Sequence, residues 1–168
     1  MNPTAPDGAA RNGALKWRLR QSFRAYVTSL PDGEERVGGG AWTDDDGCIV
    51  FPSAEINSLS VAEETVHAFL GSLTFTGHGG VLSVHLSDIR VHLVDEGRST
   101  VLVTSGDAGQ GEHQAIASFR DWEVLNGCVV VPEPRLTWIG ATLLGGVYDV
   151  GDLLDPIEID LNRVRQPE

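Results

Sequence analysis

Two hydrophobic periods divide the chain. Near its start Leu15, Leu19, Phe23 and Tyr26 recur at spacings of four, four and three, which places them on one face of a helix. Lys16, Arg20 and Arg24 repeat every four residues in an adjacent stripe, and LPDGEE (30–35) supplies the turn chemistry that ends the helix. After Gly40 the period falls to two. Phe69, Leu73 and Phe75 form one set of shared parity, Leu82, Val84 and Leu86 a second, and Ile89, Val91 and Leu93 a third, each alternating with small or polar residues. Parity switches at Gly77–Gly80 and again at Ser87–Asp88, so turns or bulges are expected there.

TVLVTSG, AIASFRDW, CVVVP and IEIDL read as further strands, with loops DAGQGEH and PEPRLTW between them. TDDDG, between AW and CIVF, carries the Asp-Gly signal of a tight hairpin. It lacks the alternating ligands and distal glutamate of a calcium loop, so the three aspartates are read as a turn. Residues 59–67 suit a helical turn or a strand. His78, His85 and His92 are spaced by seven, an odd interval that cannot put neighbours on one strand face. Many short strands, 20 glycines and no helical pattern between the strands predict an all-β fold. Its expected form is mainly antiparallel sheets in a sandwich or flattened barrel, with a short N-terminal helix. Residues 1–14 read as a flexible arm and 15–165 as a single domain.

Composition narrows the partners. A formal net charge of −12 argues against nucleic acid, which needs a broad positive face. Five of the 12 Lys and Arg residues nevertheless fall between positions 11 and 24. That patch suits a small anionic ligand or a solvated helix face. Cys48 and Cys128 lie in apolar runs and read as buried strand thiols, with no bridge implied. No run approaches the roughly 18 apolar residues of a membrane span, and the N-terminal residues show no charged start followed by an apolar stretch. The chain as written is expected in the cytoplasm; if further residues precede it, it is expected to be secreted or surface-attached.

Three segments resemble the HtaA-type haem-binding domain, the haem-transport-associated family of actinobacteria. They are LKWRLRQSFRAYV (15–27), LGSLTFTGHGGVLSVHLSDIRVHL (70–93) and YDVGDLLDPIEIDL (148–161). Taken alone, Tyr26 reads as a core residue with a wet hydroxyl and His78 as a turn histidine in water. The co-occurrence of Ser-Phe-Arg-x-Tyr, Phe-Thr-Gly-His and Leu-Asp-Pro changes that reading. The resemblance implies antiparallel sheets with short helices and a pocket for ferric, b-type, non-covalently held haem. It makes Tyr26 the axial ligand of the iron and His78 its support, and it matches Tyr148 to a tyrosine of the closing motif.

The chemistry is consistent with that assignment. Ionising a phenol at pH 7 costs about 4 kcal/mol, a cost that iron(III), a hard Lewis acid, offsets on coordination. A histidine donating to the phenolate oxygen weakens the iron–oxygen bond and eases its protonation, which suits release as well as capture. Proximity in sequence nominates Arg20, Arg24 and Lys16 for the propionates, Ser22 as a hydrogen-bond donor, and Phe23 and Phe75 against the porphyrin faces. The expected function is haem uptake, carriage or transfer, with a haem donor or acceptor protein as a further partner. The alternatives are a cytoplasmic enzyme or binding protein that uses the same pocket for a hydrophobic metabolite, with Tyr26 or His78 as acid or base in a cyclisation or rearrangement, and an interaction module whose core is empty or filled in.

Overall fold

The computed structural model describes residues 12–54, 59–61, 64–105 and 112–163. β1 (Asn12–Trp17) is a strand where the four-residue spacing predicts the start of a helix. Leu15 fits both periods while Trp17, two residues on, shares its face only in a strand, and pairing decides between them. β1 runs antiparallel between β14 (Ile157–Arg163) and β4 (Ile49–Pro52), with Leu15 opposite Ile159 and Phe51 and with both its side chain and that of Trp17 buried. Two ladders and two large buried side chains, each worth about 1.5–3 kcal/mol, outweigh a local helical preference. Leu19 then takes a left-handed φ of 62°, and α1 begins only at Gln21 and runs to Ser29. Lys16 therefore leaves the expected basic stripe, and Asn12–Ala14 belong to the sheet rather than to the arm; residues 1–11 of that arm lie outside the described residues.

Two antiparallel sheets enclose one buried cluster. The first has the order β11 (Glu123–Leu125), β12 (Cys128–Val131), β14, β1, β4, β3 (Trp42–Thr43). The path of the second is β13 (Arg135–Leu136), β10 (Gln114–Phe119), β9 (Ser99–Ser105), β8 (Leu82–Val94), β6 (Glu64–Ala68), β5 (Leu59–Val61). β7 (Ser72–Gly77) pairs with the first half of β8 and carries β2 (Glu34–Gly38) on its other side. The sheets do not close, so the architecture is an open two-sheet fold rather than a barrel. Residues 59–61 and 64–68 are strands, which resolves the ambiguous stretch for its described part.

The parity switches mark real features. The first is the β7–β8 hairpin, whose tip is a short 3-10 turn over His78–Gly80. The second is a bulge inside β8: Asp88 has φ 51° and the register to β9 shifts between Ser87 and Arg90, so Leu86 and Ile89 both point inward. TDDDG forms the β3–β4 turn, with an Asp44 carboxylate oxygen accepting from the backbone N–H of Asp46 (3.0 Å) and of Cys48 (2.9 Å). Cys48 and Cys128 are free thiols, half-buried rather than buried. A second short helix, α2 (Trp138–Leu143), is hidden in PEPRLTW and the residues after it. Thr137 caps it by accepting from Gly140 N–H at 3.0 Å, and a Cβ at Gly140 would lie 2.1 Å from the Ile116 carbonyl oxygen.

Candidate functional site

α1 buries Phe23 and Val27 and leaves Tyr26 on its flank, 42 % exposed. The chain turns through Leu30–Gly33, where Leu30 N–H donates to Val27 C=O and Gly33 N–H to Leu30 C=O, both at 3.1 Å, and enters β2. The register sets Glu34 of β2 opposite Thr76 of β7, so the end of α1 lies beside the β7–β8 hairpin tip. There the Tyr26 hydroxyl meets His78 Nε2 at 2.6 Å, across 52 residues of sequence. The two rings are tilted by 45° with centroids 6.0 Å apart.

The tip is an unusual backbone. His78 has φ 50°, Gly79 φ 64° and Gly80 φ 94°. A left-handed histidine costs of order 1–3 kcal/mol and persists only where its surroundings hold it. Here the Asp32 carboxylate does so, accepting from His78 N–H at 3.1 Å and from Gly79 N–H at 2.7 Å. The Gly79 N–H leads in holding the Asp32 carboxyl below its usual range.

The closing segment completes the site from the other side. Asp155 N–H donates to the Leu19 carbonyl and Trp17 Nε1 to the Asp155 carbonyl, both at 2.8 Å, fastening the segment to the β1–α1 junction. Arg20 donates from Nε to Ser22 Oγ (3.0 Å) and from Nη1 to the Leu153 carbonyl, with its guanidinium 4.0 Å over the Tyr148 ring. The Ser22 and Tyr148 hydroxyls are 3.3 Å apart. The three segments noted in the sequence thus converge on one face of α1.

Not every expected residue joins them. Arg24 forms a fork with Glu35 (2.9 and 2.8 Å) and donates to the Gly47 carbonyl (2.7 Å). Its charge is already neutralised, so it is not a free cation for a ligand. Phe23 and Phe75 are buried at 2 % and 0 % exposure and pack edge to face at 5.0 Å. They form a buried aromatic floor, Phe23 lying 6.2 Å from the Tyr148 ring, rather than an exposed face for a planar ligand. Asp32 reads in the sequence only as turn chemistry; Pro-Asp-Gly gives no sign that its carboxylate reaches residues 46 and 47 positions away.

The two open antiparallel sheets define the class to which the fold belongs, and comparison with known proteins identifies it. The family model HtaA (Htaa) matches residues 12–160, and the chain belongs to that family. Its fold is similar to the N-terminal domain of HtaA from Corynebacterium glutamicum, at 24% identity and TM-score 0.71, over 92% of this chain and 99% of that one. The C-terminal domain of the same protein gives 20% identity and TM-score 0.71 over 89% and 95% of the two chains. The haem-binding protein HtaB of that organism gives 20% identity and TM-score 0.68 over 90% and 92%. No curated protein matches the sequence.

Proposed function

We propose that this domain binds ferric haem, with the Tyr26 phenolate as axial ligand of the iron and His78 hydrogen-bonded behind it, for haem uptake, carriage or transfer. The observation that carries this is the 2.6 Å Tyr26–His78 contact on an exposed face of an HtaA-family fold. The likeness of that fold to HtaB, itself a haem-binding protein, supports it.

The donor set suits an iron porphyrin better than a bare ion. Among the described residues no three His, Cys, Asp or Glu side chains are grouped to hold a metal, whereas one hard oxygen donor suffices where a macrocycle supplies the other ligands. The sequence has no Cys-x-x-Cys-His, so attachment would be non-covalent. When bound, haem would supply a Lewis-acidic iron(III) and two carboxylates. Among the described residues Arg20 has no carboxylate within ion-pair distance, so its charge is available to those carboxylates in a way that Arg24 is not.

The pair also manages the proton. In the free protein the Tyr26 phenol can donate to His78 Nε2; with an iron held by the phenolate, His78 would be the residue to keep that proton on Nε2 and donate it back to the oxygen. The 2.6 Å contact would let that proton move between the two residues without leaving the pair. The test is a hemin titration of the protein beside Tyr26→Phe. A saturating one-to-one high-spin ferric phenolate spectrum, lost in the variant, is expected; equal affinity in Tyr26→Phe refutes the ligand assignment.

A further inference from the structure

We propose that Asp32 is the positioning residue of the Tyr26–His78 pair: its carboxylate fixes the hairpin-tip backbone and so aims the His78 ring at the Tyr26 hydroxyl. The effect on haem rests on the reading above, whereas the effect on the pair does not.

Packing does not hold the tip. A Cβ built at Gly79 or Gly80 would meet nothing within 4 Å, and Val81 is 89 % exposed. The tip's own closing hydrogen bond, Val81 N–H to the His78 carbonyl, is long at 3.2 Å. What does grip it is the pair of consecutive N–H groups of His78 and Gly79, which form a small anion-binding concavity occupied by the two oxygens of Asp32. Hydrogen bonds from those groups hold the carboxyl below its usual range, so it is anionic at neutral pH.

Asp32 also belongs to the turn that follows α1. That turn is tied to the helix through Leu30 N–H and Val27 C=O, and it sits directly against β7, where a Cβ at Gly77 would lie 2.8 Å from Leu30 Cδ1. One turn therefore references both members of the pair: Tyr26 through the helix and His78 through the carboxylate. Without the carboxylate, the left-handed φ at His78 keeps only the long Val81 N–H bond to its carbonyl and the ring's own contact with Tyr26, and the ring loses its fixed approach.

The experiment uses Asp32→Ala and the milder Asp32→Asn, which keeps one acceptor oxygen, with thermal unfolding to confirm that each folds. In the haem-free protein, nitrogen-15 NMR of the imidazole is expected to show a single His78 tautomer in the wild type and an averaged one in Asp32→Ala, with Asp32→Asn between. In the haem-loaded protein, Asp32→Ala is expected to keep one-to-one stoichiometry but to lose hemin to a scavenger about tenfold faster. Asp32→Ala/His78→Ala is expected to be no worse than His78→Ala, because Asp32 acts through that ring. An unchanged tautomer in Asp32→Ala, or losses that add in the double variant, overturns the proposal. A wild type that binds no hemin instead refutes the haem reading and leaves the tautomer test standing.

Discussion

The guanidinium of Arg20 lies 4.0 Å over the ring of Tyr148 while the same side chain donates to the Leu153 carbonyl, so one residue of the opening segment holds the closing segment at two points. The charge is thereby oriented without being neutralised. Arg20→Ala is expected to weaken hemin binding on the order of tenfold, the scale of one charge-assisted hydrogen bond. Arg20→Lys should recover part of that, keeping the charge but not the planar stack. Titration with the iron porphyrin dimethyl ester checks the cause: if the charge answers the propionates, wild type and Arg20→Ala bind the ester equally. A difference that persists with the ester assigns Arg20 to tethering alone.

Arg24, four residues on, predicts the opposite outcome. Its guanidinium and the Glu35 carboxylate are each only 15 % exposed and are joined by two hydrogen bonds. Removing one partner strands the other in a half-dry environment. Arg24→Ala is expected to cost about 2 kcal/mol of stability and to leave the hemin spectrum and affinity as they are. Urea unfolding beside a hemin titration separates the two effects, and an intact unfolding midpoint with weakened hemin binding would show that Arg24 serves the ligand after all.

His67 sets a pH dependence far from the site. It lies in β6 opposite Val91 of β8, half-buried, and burial pushes its imidazole below the ordinary 6.5. The folded protein thus holds a neutral ring where the unfolded chain takes up a proton near pH 6.5. The unfolded state binds more protons in that window, so stability present above about pH 6.5 is lost as pH falls toward the depressed folded value. Thermal midpoints compared from about pH 7.5 to about pH 5.5 should therefore fall more in the wild type than in His67→Leu. Parallel curves would assign the acid sensitivity to other groups.

Much of this is legible from local pattern, and the misses share a physical cause. The period-two sets around Gly77–Gly80 and Ser87–Asp88 mark the hairpin and the bulge because strand parity is a local property. The Tyr26–His78 pairing is reachable only through the three-segment resemblance, since nothing in the spacing of two residues 52 apart requires contact. β1 escapes a local reading because Leu15 belongs both to the four-residue series with Leu19 and Phe23 and to the two-residue pair with Trp17, and its neighbours β14 and β4 make the choice. α2 spans six residues, too few for a helical period to declare itself. Nearness in sequence assigns Arg24 to the ligand and Asp32 to its turn, but Glu35 and the His78–Gly79 backbone, brought in by the β2–β7 register, are what they bind.

The aromatic floor offers a sharper separation of packing from ligand contact. Phe75 is fully buried, edge to face with Phe23, whose ring in turn lies 6.2 Å from Tyr148. Phe75→Ala opens a cavity and is expected to cost about 3–5 kcal/mol, enough to unfold a marginal domain, so Phe75→Leu is the useful variant. It keeps most of the volume and loses mainly the ring–ring contact, worth about 0.5–1.5 kcal/mol beyond area burial. If the aromatic pair serves only as a floor, Phe75→Leu lowers the unfolding midpoint and leaves the position of the Soret band and the hemin off-rate unchanged. A shifted band with an unaltered midpoint would instead place the ring against the porphyrin, and the pocket would then have to open deeper than the surface on which Tyr26 and His78 meet.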